Sequence, residues 1–286
     1  MVKNKKIAIL SGKGGTGKTL LAVNFSSLEK GSTYVDLDVE EPNGYLFFKP
    51  KIQEVECVKV KIPEINYDLC IGCKKCVNFC RFNALAYTNK LKIFERLCHS
   101  CGGCVEICPV KALTEKEKIV GEVKIGKSKS TSVLTGVLNI GEASGIPIIK
   151  NIYDKANNYE GYIFIDCAPG SSCLVMESIS NADYCVLVAE PTIFGLHNLK
   201  MVYELVNILK KPFGIVLNKC NELYNPSEEF CIKNNLNILG KIPFDKNLGK
   251  TNSDSEIVVN KDDKYRKMFS DILQNIKMEV SKWNNF

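Results

Sequence analysis

Apolar segments of strand length recur along this chain, without the polar alternation of a half-exposed sheet. Six of them are rich in Val, Ile, Tyr and Phe, at 6–10, 32–38, 162–168, 184–190, 213–219 and 237–244. Continuous apolar runs are typical of strands that are buried on both faces of a parallel sheet. Helical periodicity lies between several of them. The pattern therefore predicts an α/β fold with a doubly wound, mostly parallel sheet.

Helical spacing is clearest in two segments. In 197–211 one face carries Leu199, Val202, Leu205, Val206 and Leu209. The C-terminal segment 265–283 has a wider apolar stripe, made of Tyr265, Met268, Phe269, Ile272, Leu273, Ile276, Val280 and Trp283. So wide a stripe favours packing on the domain over the alternative, a membrane-seeking helix, and no membrane partner is expected.

The middle of the chain interrupts the alternation of strands and helices. Residues 57–118 lack it and contain an internal repeat of cysteines instead. We therefore predict a small inserted domain over 57–118 and a discontinuous α/β domain made of 1–56 and 119–286. Within 126–136 we predict a polar loop followed by a strand.

Composition places the chain among globular proteins, because 45% of its residues are hydrophobic and 24% are charged. The first ten residues resemble a strand that leads into a glycine loop, and a signal peptide is not predicted. Fourteen cysteines are present, and eight of them are regularly spaced. Regular spacing without an export signal indicates metal binding and reduced thiols, so a cytoplasmic location is expected.

A phosphate-binding loop follows the first predicted strand. The segment "GKGGTGKT" fits G-x-x-x-x-G-K-[ST] and comprises Gly12, Lys13, Gly14, Gly15, Thr16, Gly17, Lys18 and Thr19. Its glycines let backbone N–H groups approach phosphate oxygens at a helix N-terminus. Lys18 is expected to contact the β- and γ-phosphates of ATP, and Thr19 to ligate Mg²⁺.

The second lysine of this loop, Lys13, makes the segment "SGKGGTGKT" resemble the deviant Walker A family of P-loop (SIMIBI-type) ATPases. That family includes MinD/ParA partitioning ATPases, Mrp-like iron–sulfur carriers and the nitrogenase iron protein. The resemblance implies that ATP builds a dimer in which Lys13 acts on the partner's nucleotide. Either a homodimer or a heterodimer with a paralogue would satisfy it.

Further residues match the same family. "VDLDVEEPN" at 35–43 resembles its switch I, in which Asp38 would position the attacking water, while Asp36 either supports that turn or simply caps a loop. "FIDCAPG" at 164–170 resembles Walker B and switch II, so Asp166 would hold Mg²⁺ through water and Gly170 would sense the γ-phosphate. Asn218 ends "VLNK" where the family reads adenine, although an ordinary strand end competes with that role. Slow, switch-like ATP hydrolysis is implied.

The cysteine block repeats one spacing twice, in "CIGCKKCVNFC" and "CHSCGGCVEIC". Each half reads C-x2-C-x2-C-x3-C, which matches the bacterial ferredoxin run for [4Fe–4S] clusters better than the paired C-x2-C of zinc sites. In two-cluster ferredoxins the fourth cysteine ligates the other cluster. The predicted ligand sets are Cys70, Cys73, Cys76 and Cys108 for the first cluster, and Cys98, Cys101, Cys104 and Cys80 for the second.

The full arrangement resembles MinD-superfamily ATPases with an inserted α+β ferredoxin-like domain. Since two oxidised clusters would each carry roughly −2, the formal charge of +6 would fall to about +2. No nucleic-acid partner is therefore expected. Cys173 lies seven residues after Asp166, where the nitrogenase iron protein has a ligand of a cluster shared between subunits. No second ligand is evident, so a packing thiol is the competing interpretation.

Three functions fit these features. The first is an ATP-gated electron-transfer protein with a redox partner. The second is a carrier that delivers iron–sulfur units or helps mature a metallocofactor in an acceptor protein. The third is a partitioning-type organiser that senses redox state. Stable binding by eight cysteines favours the first.

Overall fold

A computed structural model describes residues 4–221 and 224–283 of the 286-residue chain. The strands are β1 (Lys5–Leu10), β2 (Thr33–Leu37), β3 (Lys51–Ile65), β4 (Leu85–Tyr87), β5 (Leu91–Ile93), β6 (Leu113–Ser128), β7 (Thr131–Leu138), β8 (Tyr162–Cys167), β9 (Tyr184–Ala189), β10 (Phe213–Cys220) and β11 (Ile238–Pro243). The α-helices are α1 (Lys18–Leu28), α2 (Gly44–Phe48), α3 (Lys75–Phe79), α4 (Gly103–Glu106), α5 (Ile146–Ala156), α6 (Cys173–Ser180), α7 (Ile193–Ile208), α8 (Pro226–Lys233), α9 (Lys246–Ser253) and α10 (Asp263–Trp283).

Across the described ranges, nine strands form one sheet in the order β11-β10-β9-β1-β8-β2-β7-β6-β3. The pairs from β11 to β7 are all parallel, whereas β6 runs antiparallel to both β7 and β3. The six apolar segments correspond to β1, β2, β8, β9, β10 and β11. The predicted α/β fold with a large, mostly parallel sheet is therefore confirmed.

Helices cover both faces of the sheet. One buried cluster joins α5, α6 and α7 to the strands through residues such as Ile152 and Val202. The other joins α1 and α10 to the opposite face, where Phe25 lies edge-on to Phe269 with ring centroids 6.1 Å apart. Both cores meet the same central strands, which explains why those strands are apolar on both sides.

Helices α7 and α10 agree with the predicted stripes. Leu199, Val202, Leu205 and Val206 are buried in α7, and six of the eight stripe residues are buried in α10. The two remaining α10 positions differ, because Met268 is partly buried and Trp283 is 58% exposed. No helix within the described ranges is long and apolar enough to cross a membrane.

Two long antiparallel strands, β3 and β6, run continuously from the main sheet into the cysteine block. Residues 57 and 119, where we predicted the boundaries, lie inside β3 and β6, and the two strands pair from Lys51 to Ile65. Within 126–136 the predicted strand is β7, and the predicted loop is reduced to a turn at Lys129, because β6 continues to Ser128. The cysteine block is thus carried on strands that belong to the main sheet.

The cysteine block, residues 66–112, is built from two similar halves. Left-handed backbone recurs at three pairs of positions that are 28 residues apart, Gly72 and Ser100, Lys74 and Gly102, and Asn83 and Lys111. Each half contains a short helix, α3 or α4, and the β4–β5 hairpin joins them. Leu85, Leu91, Cys104 and Leu113 form a small core of their own. The loop after Cys80 therefore turns as the loop after Cys108 does, although only Cys108 precedes a proline.

Candidate functional site

The phosphate-binding loop leaves β1 at the carboxyl edge of the sheet and enters α1. Gly17 has φ of 108°, and a Cβ there would lie 2.2 Å from the Asn218 side chain. At Gly12 a Cβ would lie 2.4 Å from the Asn198 carbonyl oxygen of α7. Only glycine fits these approaches, so the loop is pressed against β10 and α7.

Hydrogen bonds within the loop fix its shape. The hydroxyl groups of Ser11 and Thr16 both donate to the carbonyl oxygen of Lys13, at 2.7 and 3.0 Å. Lys18 begins α1 and is buried. The backbone N–H of Gly170 donates to the Ser11 carbonyl at 2.9 Å, so the predicted switch II glycine lies against the loop.

Three carboxylates meet where β2 and β8 end. Asp36 and Asp166 are cross-strand neighbours and both are buried, and Asp38 follows one residue after β2. Asp36 accepts from the backbone N–H groups of Asn43 and Gly44, at 3.1 and 2.9 Å. It also accepts from the backbone N–H of Asp38 at 3.2 Å, so it holds both the turn at Asp38 and the turn before α2, and the choice between switch support and a loop cap stays open.

Asp166 is satisfied on one side only. Its Oδ2 accepts from the Tyr34 hydroxyl at 3.1 Å, whereas its buried Oδ1 has no hydrogen-bond partner among the described residues. Thr19 is close enough for its hydroxyl to lower the pKa of Asp166. An orphaned carboxylate oxygen beside a threonine hydroxyl is a donor set that suits Mg²⁺.

The carboxylates raise one another's pKa values, an arrangement that suits a cation site. Burial and the negative charge of Asp166 raise the pKa of Asp38 to about 6, against the opposing charge of Lys18. Burial also raises the pKa of Asp36 and of Asp166, and Lys18 opposes the rise at Asp166. Like charges crowded in a low dielectric disfavour ionisation, and a bound cation would reverse that effect.

Lys13 is bound within its own chain. Its Nζ lies 2.5 Å from Oε2 of Glu190, directly after β9, and Lys219 Nζ lies 2.7 Å from the other oxygen. Lys219 also donates to the carbonyl oxygen of Gly15 at 2.8 Å. Burial acts to raise the pKa of Glu190, but the hydrogen bonds and charges of the two lysines outweigh it and lower that pKa.

Asn218 lies beneath the loop. It is buried, and its amide donates to the Thr16 carbonyl oxygen at 2.7 Å. In this structure Asn218 supports the phosphate-binding loop, and contact with adenine stays a prediction. The sequence analysis missed Glu190, Lys219 and Tyr34. The signal for Glu190 was available, since an acidic residue directly after a buried parallel strand lies at the carboxyl edge.

The eight regularly spaced cysteines surround two separate cavities in the cysteine block. One cavity is lined by Cys70, Cys73, Cys76 and Cys108. The other is lined by Cys98, Cys101, Cys104 and Cys80. Each run thus contributes its first three cysteines to one cavity and its fourth to the other, the grouping that the ferredoxin spacing predicts.

The thiols within each group influence one another. Burial raises the pKa of Cys76, and the charges of Cys73 and Cys108 act in the same direction. Burial, with Cys98 and Cys101, raises the pKa of Cys104 to about 11.

Backbone N–H groups reach two of the sulfurs, from Ala112 to Cys108 at 3.2 Å and from Ser100 to Cys98 at 3.4 Å. In the part of the chain that the structure describes, no group of three or more His, Cys, Asp or Glu side chains is arranged to hold a metal ion. The two clusters therefore stay a prediction.

Cys173 is exposed at the first residue of α6. Cys167, Cys185 and Cys231 are buried in the core, Cys220 is half-buried and Cys57 is exposed on β3. A buried free thiol packs as a small apolar side chain. A metal at Cys173 stays a prediction.

Comparison with known proteins agrees with the geometry. Residues 7–258 match the family model of the CobQ/CobB/MinD/ParA nucleotide binding domain. Two uncharacterised proteins of Methanocaldococcus jannaschii, MJ0578 and MJ0579, are each 30% identical to this chain. The first match covers 95% of this chain and 96% of its relative, and the second covers 85% and 87%.

Among solved structures, the fold is similar to that of the septum site-determining protein MinD of Pyrococcus horikoshii, in complex with Mg-ADP. The TM-score is 0.59 and the identity 17%, over 96% of each chain. At that identity the likeness concerns the fold alone. The family model spans the phosphate-binding loop, the three carboxylates and Glu190. This chain belongs to the CobQ/CobB/MinD/ParA family of nucleotide-binding domains.

Proposed function

We propose that this protein is an ATP-hydrolysing iron–sulfur protein, a nucleotide-switched dimer that couples hydrolysis to electron transfer to a partner. The observation that carries the proposal is the grouping of eight cysteines around two cavities, in the same chain as a MinD/ParA-type nucleotide site. Neither feature alone would separate this function from others of the family.

In the nucleotide site, this chain's residues would bind and orient Mg·ATP. Thr19 and the free oxygen of Asp166 would hold Mg²⁺, which neutralises charge on the phosphates. Lys18 is buried beside the carboxylates and would place its charge on the β- and γ-phosphates. Asp38, whose pKa of about 6 leaves it ionised at neutral pH, would orient the attacking water.

Dimer formation would complete the site. Lys13 lies in an ion pair with Glu190 of its own chain and would have to exchange that partner for phosphate of the other subunit. Two relatives of this chain occur in one organism, which keeps both a homodimer and a heterodimer with a paralogue within the proposal.

The cysteine block would hold two [4Fe–4S] clusters, bound by Cys70, Cys73, Cys76 and Cys108 in one cavity and by Cys98, Cys101, Cys104 and Cys80 in the other. Two halves with the same backbone turns support a ferredoxin-like inserted unit. Residues 57 and 119 lie inside β3 and β6, which belong to the main sheet. We therefore propose that the core of the inserted unit is 66–112, between these two strands. Such clusters store electrons at low potential.

A second function, delivery of iron–sulfur units to an acceptor protein, is favoured by one observation. Cys73 and Cys101 are exposed, one beside each cavity, so an acceptor thiolate could reach each site. Electron transfer needs no such access to the ligands. Incubation of the loaded protein with an apo-ferredoxin separates the two functions, because only a carrier would lose iron to it in an ATP-dependent manner.

Iron analysis tests the proposal. Protein purified without oxygen should hold about eight irons and eight sulfides per chain. Cys76→Ser should lose one cluster, with an altered EPR spectrum after reduction, whereas Cys57→Ser, an exposed cysteine outside both cavities, should keep both. Zinc in place of iron, or equal iron in Cys76→Ser and Cys57→Ser, would rule the proposal out.

A further inference from the structure

Lys118 makes a partly buried contact outside both proposed ligand sets. It lies on β6, and its Nζ is 2.8 Å from Oε2 of Glu142. The two side chains are 17% and 12% exposed, so this ion pair is among the most buried in the described chain. The same Nζ donates to the backbone carbonyl oxygen of Glu95 at 3.1 Å.

Glu95 lies next to the second cysteine group, which we define as Cys98, Cys101, Cys104 and Cys80; the first group is Cys70, Cys73, Cys76 and Cys108. Glu95 begins the 3₁₀ helix Glu95–Leu97, and Cys98 is the next residue. Arg96 in the same turn packs over Gly141, where a Cβ would lie 3.6 Å from a guanidinium nitrogen. Lys118 therefore holds the backbone just before the first cysteine of that group, and the Arg96 side chain lies against the segment that carries Glu142.

Glu142 lies in a segment that contacts the end of switch I in the nucleotide site. Glu142 N–H bonds to the carbonyl of Asn139 at 3.2 Å, and Leu138 N–H bonds to the carbonyl of Val39 at 2.8 Å. Val39 directly follows Asp38. A Cβ at Gly145 would lie 2.4 Å from Val39, so the segment 139–145 is held at both ends against the residue after the switch I aspartate.

Among the described residues, the lining of the first cysteine group's cavity includes none from the segment 139–145. That cavity is lined only by residues 65–113 of the cysteine block and its bounding strands. A groove beside the second group is lined by Cys98 and Cys101 together with Glu142, Ala143 and Ser144. The segment 139–145 thus contacts one of the two sites in the described chain and not the other.

We infer that Lys118 is a positioning residue that couples the second cysteine site to the nucleotide switch through Glu142 and the segment 139–145. Movement of the Asp38–Val39 backbone on nucleotide binding is passed to the turn before Cys98, and the first site stays insulated. The inference rests on the proposed function in one respect, the assignment of a cluster to the second site. The contact itself exists whether or not iron is bound.

Hydrogen exchange of the full chain, with and without Mg²⁺ and a non-hydrolysable ATP analogue, tests this coupling. In the wild type, nucleotide should slow exchange at 95–101 by about fivefold or more, the smaller end of common coupling energies, along with 139–145. Lys118→Met should keep the response at 139–145 and lose it at 95–101. Lys118→Arg should restore it.

The neighbouring lysine supplies a matched control. Lys116 lies two residues earlier on the same face of β6 and forms a more exposed ion pair with the side chain of Glu95, so Lys116→Met should respond as the wild type does. Glu142→Gln breaks the same ion pair from the other side, so it tests the coupling even if Lys118→Met folds poorly. The double variant should lose no more coupling than either single variant. A response at 95–101 that persists in Lys118→Met, or is missing from the wild type, overturns the inference.

A spectroscopic measurement separates this inference from the proposed function. In iron-loaded protein, nucleotide should alter the EPR spectrum of the reduced cluster in the second site, and Lys118→Met should abolish that change while iron content stays the same. Protein that binds no iron but still shows the exchange response would retain the coupling and refute the cluster proposal. An EPR change that Lys118→Met leaves intact would refute the coupling.

Discussion

At the scale of single residues, the nucleotide site is a balance between crowded carboxylates and the groups that oppose their repulsion. Asp36, Asp38 and Asp166 lie close together. The charge of Lys18 lowers the pKa of Asp38 and of Asp166, and the hydroxyl groups of Thr19 and Tyr34 also lower that of Asp166. A site arranged in this way is unfavourable when empty and favourable when a cation is bound. The crowding of these carboxylates therefore lowers the stability of the free protein.

Replacing Asp38 with Asn should reveal this cost. Asp38 has a pKa of about 6 in the folded chain, above that of an unfolded aspartate, so its ionised form destabilises the fold above pH 6. Asp38→Asn should raise the Tm of nucleotide-free protein at pH 7.5, and the gain should shrink as the pH falls through 6 towards 4. ATP hydrolysis should fall about 10²- to 10⁴-fold.

Asp36→Asn is the control for this experiment. Asp36 accepts backbone N–H groups through both oxygens, from Asp38 at Oδ1 and from Asn43 and Gly44 at Oδ2, so the NH2 group of an asparagine would face at least one N–H. This variant should lower the Tm at pH 7.5. A Tm gain for Asp38→Asn that is equal at pH 7.5 and pH 4 would contradict the account.

Releasing Lys13 should favour the dimer. Hydrogen bonds to charged groups contribute about 1.5–3 kcal/mol, so Glu190→Gln should lower the ATP concentration for half-maximal dimerisation by roughly tenfold. Sedimentation in the presence of Mg·ATP measures this. Glu228→Gln, which removes a more exposed partner of Lys241, should leave dimerisation unchanged. A weaker dimer in Glu190→Gln would show that Glu190 supports the active loop instead.

The candidate site residues that could be predicted are those that belong to contiguous sequence motifs. The phosphate-binding loop and the cysteine runs are contiguous motifs, and the structure brings their members together. The roles of Glu190 and Lys219 depend on contacts between residues that are distant in sequence. Lys219 binds Glu190, which lies 29 residues earlier at the end of another strand. It also binds Gly15 of the phosphate-binding loop, 204 residues away. The position of Glu190 directly after a buried strand indicates the carboxyl edge of the sheet, but no local pattern records its contacts with Lys219 and Lys13.

At the scale of elements, strands buried on both faces were predicted and half-exposed ones were not. The segment "CVKVKI" in β3 alternates buried Val58 and Ile62 with exposed Lys59 and Lys61. That alternation has the period of two expected of an edge strand. A search for continuous apolar runs passes over it, which is why the predicted boundary at 57 fell within a strand.

The C-terminal helix offers a test at this scale. Phe269 is fully buried against Phe25, so Phe269→Ala should lower the free energy of unfolding by about 3–5 kcal/mol. Trp283→Ala, at an exposed position on the same helix, should change it by no more than about 0.5 kcal/mol. Urea unfolding measures both. A Phe269→Ala cost close to that of Trp283→Ala would mean that α10 does not pack on the domain in solution.

At the scale of the whole molecule, a nucleotide site and two cysteine cavities share one sheet. The α/β fold follows from its apolar segments, and family membership supports it. The way in which the cysteine block is attached could not be predicted, because it depends on the pairing of β3 with β6 across nearly fifty intervening residues. That shared pair of strands makes mechanical coupling between the two halves possible.

A redox titration followed by EPR, with and without Mg·ATP, tests the central claim most directly. The account predicts that ATP shifts the midpoint potential of the cluster in the second site, and about 59 mV would correspond to a tenfold change in the one-electron equilibrium. The cluster in the first site should shift less. Identical midpoints for both clusters in the presence and absence of Mg·ATP would contradict a nucleotide switch that controls electron transfer.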